Sequence, residues 1–539
     1  KRREPKSLNE VRKLKNKLRR QAFKPHASAD VRQKFFETLR AYDYLKKEKD
    51  ITDQKRSAKH EEKQFCANFW DFSKRLISDT LYRPPNFPTF SKSVADDFFP
   101  SKYGSEVPIY LDGLNWFGTH RSDQVTSNFN MSAIRPGDIK NLLKKKSSGS
   151  SPGPDGITYG ILKRLTCTHH FLATLYNKVL QCGIPPSSWA ESSIKLLHKK
   201  GDTDTPSNFR MIALASCTGK LFHQLIADRL HDFIVNNNIV NTKLQKAFLK
   251  GKNGCVEHNQ VLHEIISHSK ANKRTAHITW FDLEDAFGSV SHDLIRHTLR
   301  INHIPPEVQI YIQNLYSSLN GRVSTKSWTS ESFKFNKGIF QGDPLSPIIF
   351  ILCFNPIIKS LENDLEHGYN LNDDKIITTP FADDFCLITG NKRTHQRLIN
   401  KISDQTKSMG LKLKPSKCRA LSICRGSASR VAFSLVDEEI LTIDQDPHKF
   451  LGSLITFKSK PAEIYAYMRD KISEGLDRID KSLIRNEFKM RIYADYFLPC
   501  LRFHLTVNDM CSSHLTELDS LANRFLKKWS GLPHPATLA

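Results

Sequence analysis

Pro380-Phe381-Ala382-Asp383-Asp384-Phe385-Cys386-Leu387-Ile388-Thr389 sets two adjacent carboxylates between short apolar segments, Ile376-Ile377 before them and Phe385 to Ile388 after. β-Favouring residues on both sides suit a tight hairpin with buried flanks, and two like charges at its tip repel unless a cation neutralises them. A divalent metal ion is the simplest neutraliser. A second Ala-Asp-Asp-Phe, at residues 95–98, follows Ser91-Lys92-Ser93 and runs into Pro100. That copy reads as an ordinary surface loop or helix start.

The pair has a partner 101 residues upstream of Asp383, where Ala276-His277-Ile278-Thr279-Trp280-Phe281 leads into Asp282-Leu283-Glu284-Asp285-Ala286-Phe287. A strand there would present Asp282 at its end. Between the two lies Gly338-Ile339-Phe340-Gln341-Gly342-Asp343-Pro344-Leu345-Ser346-Pro347. Carboxylates from separate strands hold two divalent ions about 3.5–4 Å apart, one activating an attacking 3′ oxygen and the other neutralising a triphosphate. Asp282 and Asp383 are the first-choice metal ligands and catalytic residues, with Asp384 beside them and a backbone carbonyl from Leu283. Alone, Asp282 reads more readily as the cap of a helix beginning near Ala286 than as a metal ligand. Its combination with Asp383 and Gln341-Gly342 makes metal binding the better reading.

Phe-Ala-Asp-Asp, Asp-x-x-x-Ala-Phe and Gln-Gly-x-Pro-Leu-Ser-Pro in this arrangement resemble reverse transcriptases, and their spacing resembles that of non-LTR, LINE-type retrotransposons. The resemblance covers roughly residues 131 to 455. It includes Ser151 to Ile157 ahead of the fingers, Trp189 with Lys195 to Gly201 and Asn208 to Leu214 in the fingers, and Gln245 to Phe248 with Gly254 to His258 before the first palm strand. Gly410 to Cys418 and Phe450-Leu451-Gly452 resemble the later palm segment and the primer grip. The wording of Gly254 to His258 and of Lys527-Lys528-Trp529 to Leu532-Pro533 leans toward the early-branching site-specific clades, which carry a restriction-like endonuclease. One departure is Met211, where the family usually has proline after the arginine. Losing the ring frees φ there but keeps Arg210.

This resemblance implies an α+β fold, a right-hand polymerase of fingers, palm and thumb with an antiparallel palm sheet and a basic, mostly helical N-terminal extension. The expected boundaries are extension 1–130, fingers 131–275, palm 276–456 and thumb 457–539. The implied activity is RNA-directed DNA polymerisation, extending a primer or target DNA on template RNA with deoxynucleoside triphosphates and two Mg2+ ions, for which Mn2+ substitutes. Target-primed reverse transcription is the implied setting, and the nucleus the implied location. Phe287 is expected beneath the sugar, where a ring would clash with a 2′ hydroxyl. Arg210 suits triphosphate oxygens because a guanidinium bonds them in pairs. Lys199 is a general phosphate contact, Gln341 and Gly342 lie near the base pair, and Lys417 is a general acid for pyrophosphate. Phe450, Leu451 and Gly452 form the primer grip. The rivals are a domesticated, non-catalytic RNA-binding scaffold, which has no need of a complete carboxylate set, and an RNA-dependent RNA polymerase. The expected endonuclease was removed, acts from another polypeptide, or is not used.

Composition agrees with a nucleic-acid partner. The 539 residues carry a formal net charge of +25 and are 39% hydrophobic, so they suffice for about three or four domains and hold phosphate backbones in a salt-dependent way. Residues 1–60 hold 20 Lys/Arg against 8 Asp/Glu, which reads as an RNA or DNA clamp or as a solvated helix face. None of the 11 cysteines forms Cys-x-x-Cys, so reduced thiols, most of them packed, are expected. The paired histidines His258/His263 and His292/His297 match no compelling zinc site. No signal peptide or membrane span is written at Lys1 or in the apolar stretch Pro347 to Ile358, so an intracellular protein with no membrane partner is expected. Oligomeric state stays open.

Helical stripes complete the pattern: Phe171, Leu172, Leu175, Tyr176, Val179 and Leu180; Leu221, Phe222, Leu225, Ile226, Leu230 and Phe233; and Ile464, Tyr467, Met468, Ile472, Leu476 and Ile479. These are core faces. Trp70, Phe72 and Phe98-Phe99 indicate that the later part of the extension packs on something, after a loop-rich stretch around Pro84-Pro85-Asn86.

Overall fold

The computed structural model describes residues 7–77, 87–106, 109, 125–445, 448–455, 457, 461–508 and 510–533. Residues 1–6 and Pro84-Pro85-Asn86 lie outside the described residues. The chain forms two compact units, one of residues 84–458 and one joining residues 1–83 to 459–539.

The strands that position the site belong to the larger unit. In chain order they are β1 (Glu191–His198), β2 (Phe209–Ala215), β3 (Ala276–Phe281), β4 (Asn320–Val323), β5 (Phe333–Lys334), β6 (Tyr369–Leu371), β7 (Asp374–Ile376), β8 (Phe385–Thr389), β9 (Arg419–Cys424) and β10 (Ser427–Ala428). One sheet runs β2-β1-β4-β5 and a second β10-β9-β3-β8, with β3 antiparallel to both β8 and β9, while β6 and β7 pair with each other. All six residues of β3 and all five of β8 are buried. Successive side chains point to opposite faces: Phe281, Phe385 and Leu387 join the main core, while Ile278, Trp280, Cys386 and Ile388 join a second cluster with Leu262, Ile265 and Leu421. A sheet covered on both faces needs no polar alternation. That is why Phe385 to Ile388 of β8 reads as an unbroken apolar run, while the polar His277 and Thr279 of β3 are buried in hydrogen bonds with Ser422 and His395.

Helices supply the covers. Ser346–Asn363 is apolar on nearly every side and buried throughout its middle, as a core helix must be. Its buried Asn355 donates to the Ile239 carbonyl at 2.8 Å. Lys392–Ser408 is amphipathic, burying Leu398, Ile399 and Ile402, and Asn391 caps its start by accepting from Arg393 and Thr394 N–H.

Packing begins earlier than the extension boundary at 130 suggested. Phe90, Ala95, Phe99 and Tyr103 belong to the core of the larger unit. The second Ala-Asp-Asp-Phe lies in the helix Lys92–Tyr103, capped by Ser91, and Asp96 accepts from Glu331 N–H at 2.8 Å. It is a helix start, as its flanking residues indicated.

In the smaller unit, helices Leu8–Ala22 and Ala29–Ala67 form a hairpin with few buried side chains, Val11 and Ala22 in the first and Phe35 and Phe65 in the second. Phe65 and Phe72 share a core with Met468, Ile472, Leu476, Ile479 and Trp529 of the C-terminal helices. Arg478 donates to the Ile77 carbonyl at 2.6 Å, and Arg485 pairs with Glu62 at 3.2 Å. Residues far apart in sequence therefore build one helical body.

Two stripe residues, Phe171 and Tyr467, are exposed rather than core, and Trp70, expected to pack, is exposed as well. The cysteines are also more open than expected. All are free, but Cys66, Cys167, Cys182, Cys500 and Cys511 are exposed. Among the described residues no helix is long and apolar enough to cross a membrane.

Candidate active site

The hairpin tip is a two-residue turn. Phe381 N–H donates to the Asp384 carbonyl at 2.7 Å and Asp384 N–H returns to Phe381 at 3.1 Å, leaving Ala382 and Asp383 between them. Ala382 takes φ +57°, a left-handed value that costs a side-chain-bearing residue energy. Buried Gln245 holds it there, its Oε1 accepting from Ala382 N–H and Ala247 N–H, both at 3.0 Å. Below the turn, His258 Nε2 bonds the Pro380 carbonyl at 2.9 Å. Burial pulls His258 down to about 4, so the ring is neutral and donates.

Register brings the carboxylates together. Phe281 pairs with Phe385, so the next position on each strand places Asp282 opposite Asp384. On the other side of β3, Trp280 pairs with Arg419, and the same register carried on brings Lys417 to Asp282. Its ammonium stands 3.2 Å from Asp282 Oδ2. Beyond, Leu283 bridges Leu413 through hydrogen bonds from Lys414 N–H to Asp282 O and from Glu284 N–H to Lys412 O. Leu283 is the non-bonded member of that ladder, so its carbonyl points away from the partner strand.

These charges act on one another. Asp384 is pushed up to about 6, by desolvation first and then by repulsion from Asp383 and Asp282, with Lys417 opposing. Its surface remains open to solvent, and water screens part of that repulsion. Asp383 is likewise raised, by burial first and then by Asp282, while Arg210 pulls it down. Asp282 Oδ2 is buried, and it faces the Lys417 ammonium without a hydrogen bond of good geometry. Hard oxygen donors that repel each other, offset within the protein by the Lys417 ammonium and Arg210, fit a hard divalent cation. Among the described residues no three His, Cys, Asp or Glu side chains already converge as a metal cage.

A pocket beside the carboxylates is lined by Lys199, Arg210, Gln341, Asp285 and Tyr103. Arg210 lies on β2 across from Leu197 of β1. Gln341 joins β2 through its carbonyl, which accepts from Ala213 N–H at 2.9 Å. Gly342 takes φ +109°, and a Cβ there would stand 3.0 Å from the Ala213 carbonyl. Only glycine suits both the conformation and the close approach. Beneath this turn, buried His223 bridges Asp343 and the Tyr311 hydroxyl. Phe287 is half-buried, stacked on Phe350 of the core helix.

The strands His448–Phe450 and Ser453–Ile455 form a separate hairpin, turned by Leu451 (φ +43°) and Gly452 (φ +87°). Phe450 is buried near Trp280 of β3, and the Leu451 carbonyl accepts from Asn259 at 3.3 Å. This hairpin packs on the palm sheet; its residues do not line the pocket.

The sequence had assigned no role to Gln245, His258, Asp285, Lys102 or Tyr103. Gln245 and His258 lie in segments of family resemblance. No signal in the sequence marked Lys102 and Tyr103.

Residues 197–455 match the family described as reverse transcriptase (RNA-dependent DNA polymerase). The Pol polyprotein of the type-2 retrotransposable element R2DM of Drosophila melanogaster is 27% identical over 420 residues, 76% of this chain and 38% of that protein. The Pol polyprotein of a type-1 retrotransposable element R2 of Nasonia vitripennis is 24% identical over 446 residues, 79% of this chain and 42% of that one. The RNA-directed DNA polymerase of the mobile element jockey of Drosophila melanogaster is 24% identical over 430 residues, 75% and 44%. The chain thus spans less than half the length of these relatives. A telomerase from Candida tropicalis aligns over 71% of this chain and 67% of its own at 14% identity and a TM-score of 0.35, too loose a likeness to carry an argument.

Proposed function

We propose, from the premise that this chain belongs with the reverse transcriptases of non-LTR retrotransposons, that it is an RNA-directed DNA polymerase that extends a DNA primer on an RNA template. The observation that carries this is the register of β3 and β8, which sets Asp282 opposite Asp384 with Asp383 in the adjoining turn. Asp282, Asp383, Asp384 and the Leu283 carbonyl are the groups that would hold two Mg2+ ions, with Mn2+ able to substitute. Bound there, such ions activate a primer 3′ hydroxyl and neutralise the leaving pyrophosphate.

The chain's own residues do the rest. Arg210 and Lys199, side by side in the pocket with Gln341, bind and orient the triphosphate. Phe287 excludes a 2′ hydroxyl. Lys417, held 3.2 Å from Asp282, carries a proton at its Nζ for the leaving group. Gln341 and Gly342 support the new base pair, and Phe450, Leu451 and Gly452 the primer. The basic surplus of residues 1–60 supports an RNA or DNA clamp. Target-primed synthesis in the nucleus completes this reading.

The test is primer extension by the purified chain on poly(rA)/oligo(dT) with Mg2+. Incorporation of dTTP that is lost in Asp383→Asn supports the reading. A folded chain that binds RNA and adds no nucleotide would favour the scaffold, and a preference for ribonucleotides an RNA polymerase.

A further inference from the structure

We infer that Lys102 is a triphosphate contact of the nucleotide pocket, held in readiness by Asp285 and Tyr103. The inference rests on the polymerase reading and extends it to a helix ahead of the family-matched segment. The last turn of Lys92–Tyr103 enters the pocket, where Tyr103 is a wall together with Lys199, Arg210 and Gln341. Lys102 Nζ stands 2.6 Å from Asp285 Oδ2, and the Tyr103 hydroxyl donates to the same oxygen at 2.8 Å. Asp285 is the turn residue three positions after Asp282, with φ +48°.

Nearby backbone is shaped to this contact. A Cβ on Gly288 would meet Asp285 Oδ2 at 2.5 Å and the Tyr103 ring at 2.8 Å. Asn336 N–H donates to the Tyr103 carbonyl at 3.0 Å, and Lys337 Nζ to the Ser105 hydroxyl at 3.0 Å. The end of the helix is thereby tied both to the turn after β3 and to the segment leading to Gln341.

Cations crowd this single carboxylate. Burial pulls the Lys199 ammonium down, and Lys102, Arg210 and Lys417 add to that, with Asp285 opposing. Lys337 is lowered in the same way, by burial first and then by Lys102 and Lys412. Lys417 pairs with Asp282 and Arg210 acts on Asp383, which leaves Lys102, Lys199 and Lys337 about Asp285, a surplus of positive charge that a triphosphate would balance. Because Tyr103 shares the oxygen, Lys102 can turn to a phosphate without leaving Asp285 buried and unpartnered.

The test is single-nucleotide addition by the full chain on a preformed primer–template, with inorganic triphosphate as competitor. Lys102→Gln is expected to raise both KM for the nucleotide and Ki for triphosphate about tenfold while kcat changes less than about threefold, and Lys102→Arg to restore most of the loss. Lys102→Met keeps the stem beside the Tyr103 ring and replaces Lys102→Gln should the amide disturb folding. Lys92→Gln, at the opposite end of the helix where Lys92 pairs with Glu331 at 2.6 Å, is expected to keep both constants. Unchanged KM and Ki in the Lys102 variants, or the same rise in Lys92→Gln, would overturn the inference. A wild type that adds no nucleotide counts instead against the polymerase reading, and calorimetric titration of inorganic triphosphate into wild type and Lys102→Gln then still decides the contact.

Discussion

Phe287 lies flat on Phe350, ring centroids 4.9 Å apart and planes within 7°. Phe350 is buried in the core helix and stacks in turn on Phe354, so the Phe287 ring has firm backing and cannot retreat from a sugar above it. Phe287→Val is expected to raise ribonucleotide incorporation by about one to two orders of magnitude, roughly 1.4 kcal/mol for each tenfold. Comparing kcat/KM for dATP and ATP on one template reads the ratio directly. An unchanged ratio would return Phe287 to a packing role.

Asp282→Asn and Asp383→Asn are each expected to lower nucleotide addition by about three orders of magnitude, close to 4 kcal/mol of transition-state stabilisation. RNA affinity should hold, since it rests on the basic surplus elsewhere. Full extension activity in either variant, in a gel assay run beside an RNA-binding titration, would sink the metal-ligand assignment.

Asp384 titrates at about 6 in the fold against a usual value of 3.8. A raised carboxyl binds more protons folded than unfolded, so its ionisation weakens the fold: the penalty is absent below about pH 4 and fully in force above about pH 6. In metal-free protein, Asp384→Asn should therefore raise Tm more at about pH 7.5 than at about pH 4.5. Mg2+ binding by calorimetry should weaken over the same descent in pH as the carboxylate gains its proton. Equal Tm gains at both pH values would remove Asp384 from the repulsive cluster.

Gln245 serves two backbone N–H groups with one oxygen. Gln245→Leu leaves both donors buried without an acceptor and is expected to cost about 1–3 kcal/mol of stability. It should also lower kcat by loosening the turn that carries Asp383. Urea denaturation gives the first quantity and primer extension the second; a stable variant with full kcat would show that the turn holds itself.

The basic hairpin of residues 8–56 can be removed without touching Glu62, Phe65 or Phe72, which pack with the C-terminal helices. Its deletion should weaken RNA binding and flatten the slope of log affinity against log salt, while nucleotide addition persists at saturating primer–template. A slope identical to wild type would leave the helices as solvated surface.

The features legible from the residues alone were those set by neighbours along the chain. The turn at Ala382-Asp383, the strand that stops at Phe281 one residue before a carboxylate, and the apolar helix that follows Gln341-Gly342 are all written locally, in turn chemistry and in runs of apolar residues. Family resemblance added roles for Arg210, Phe287 and Lys417 on top of that local text. That Asp384 rather than Asp383 falls opposite Asp282 appears only in the folded chain, because strand register depends on which residues pair across the sheet and strands buried on both faces do not announce it. Tertiary structure also decided that Gln245 pins the hairpin, that Phe65 shares a core with Trp529, and that Tyr103 and Lys102 meet Asp285. Those contacts join residues more than a hundred positions apart. A lone glutamine, lysine or tyrosine carries no periodicity to reveal its partner, so only the folded chain brings it into view.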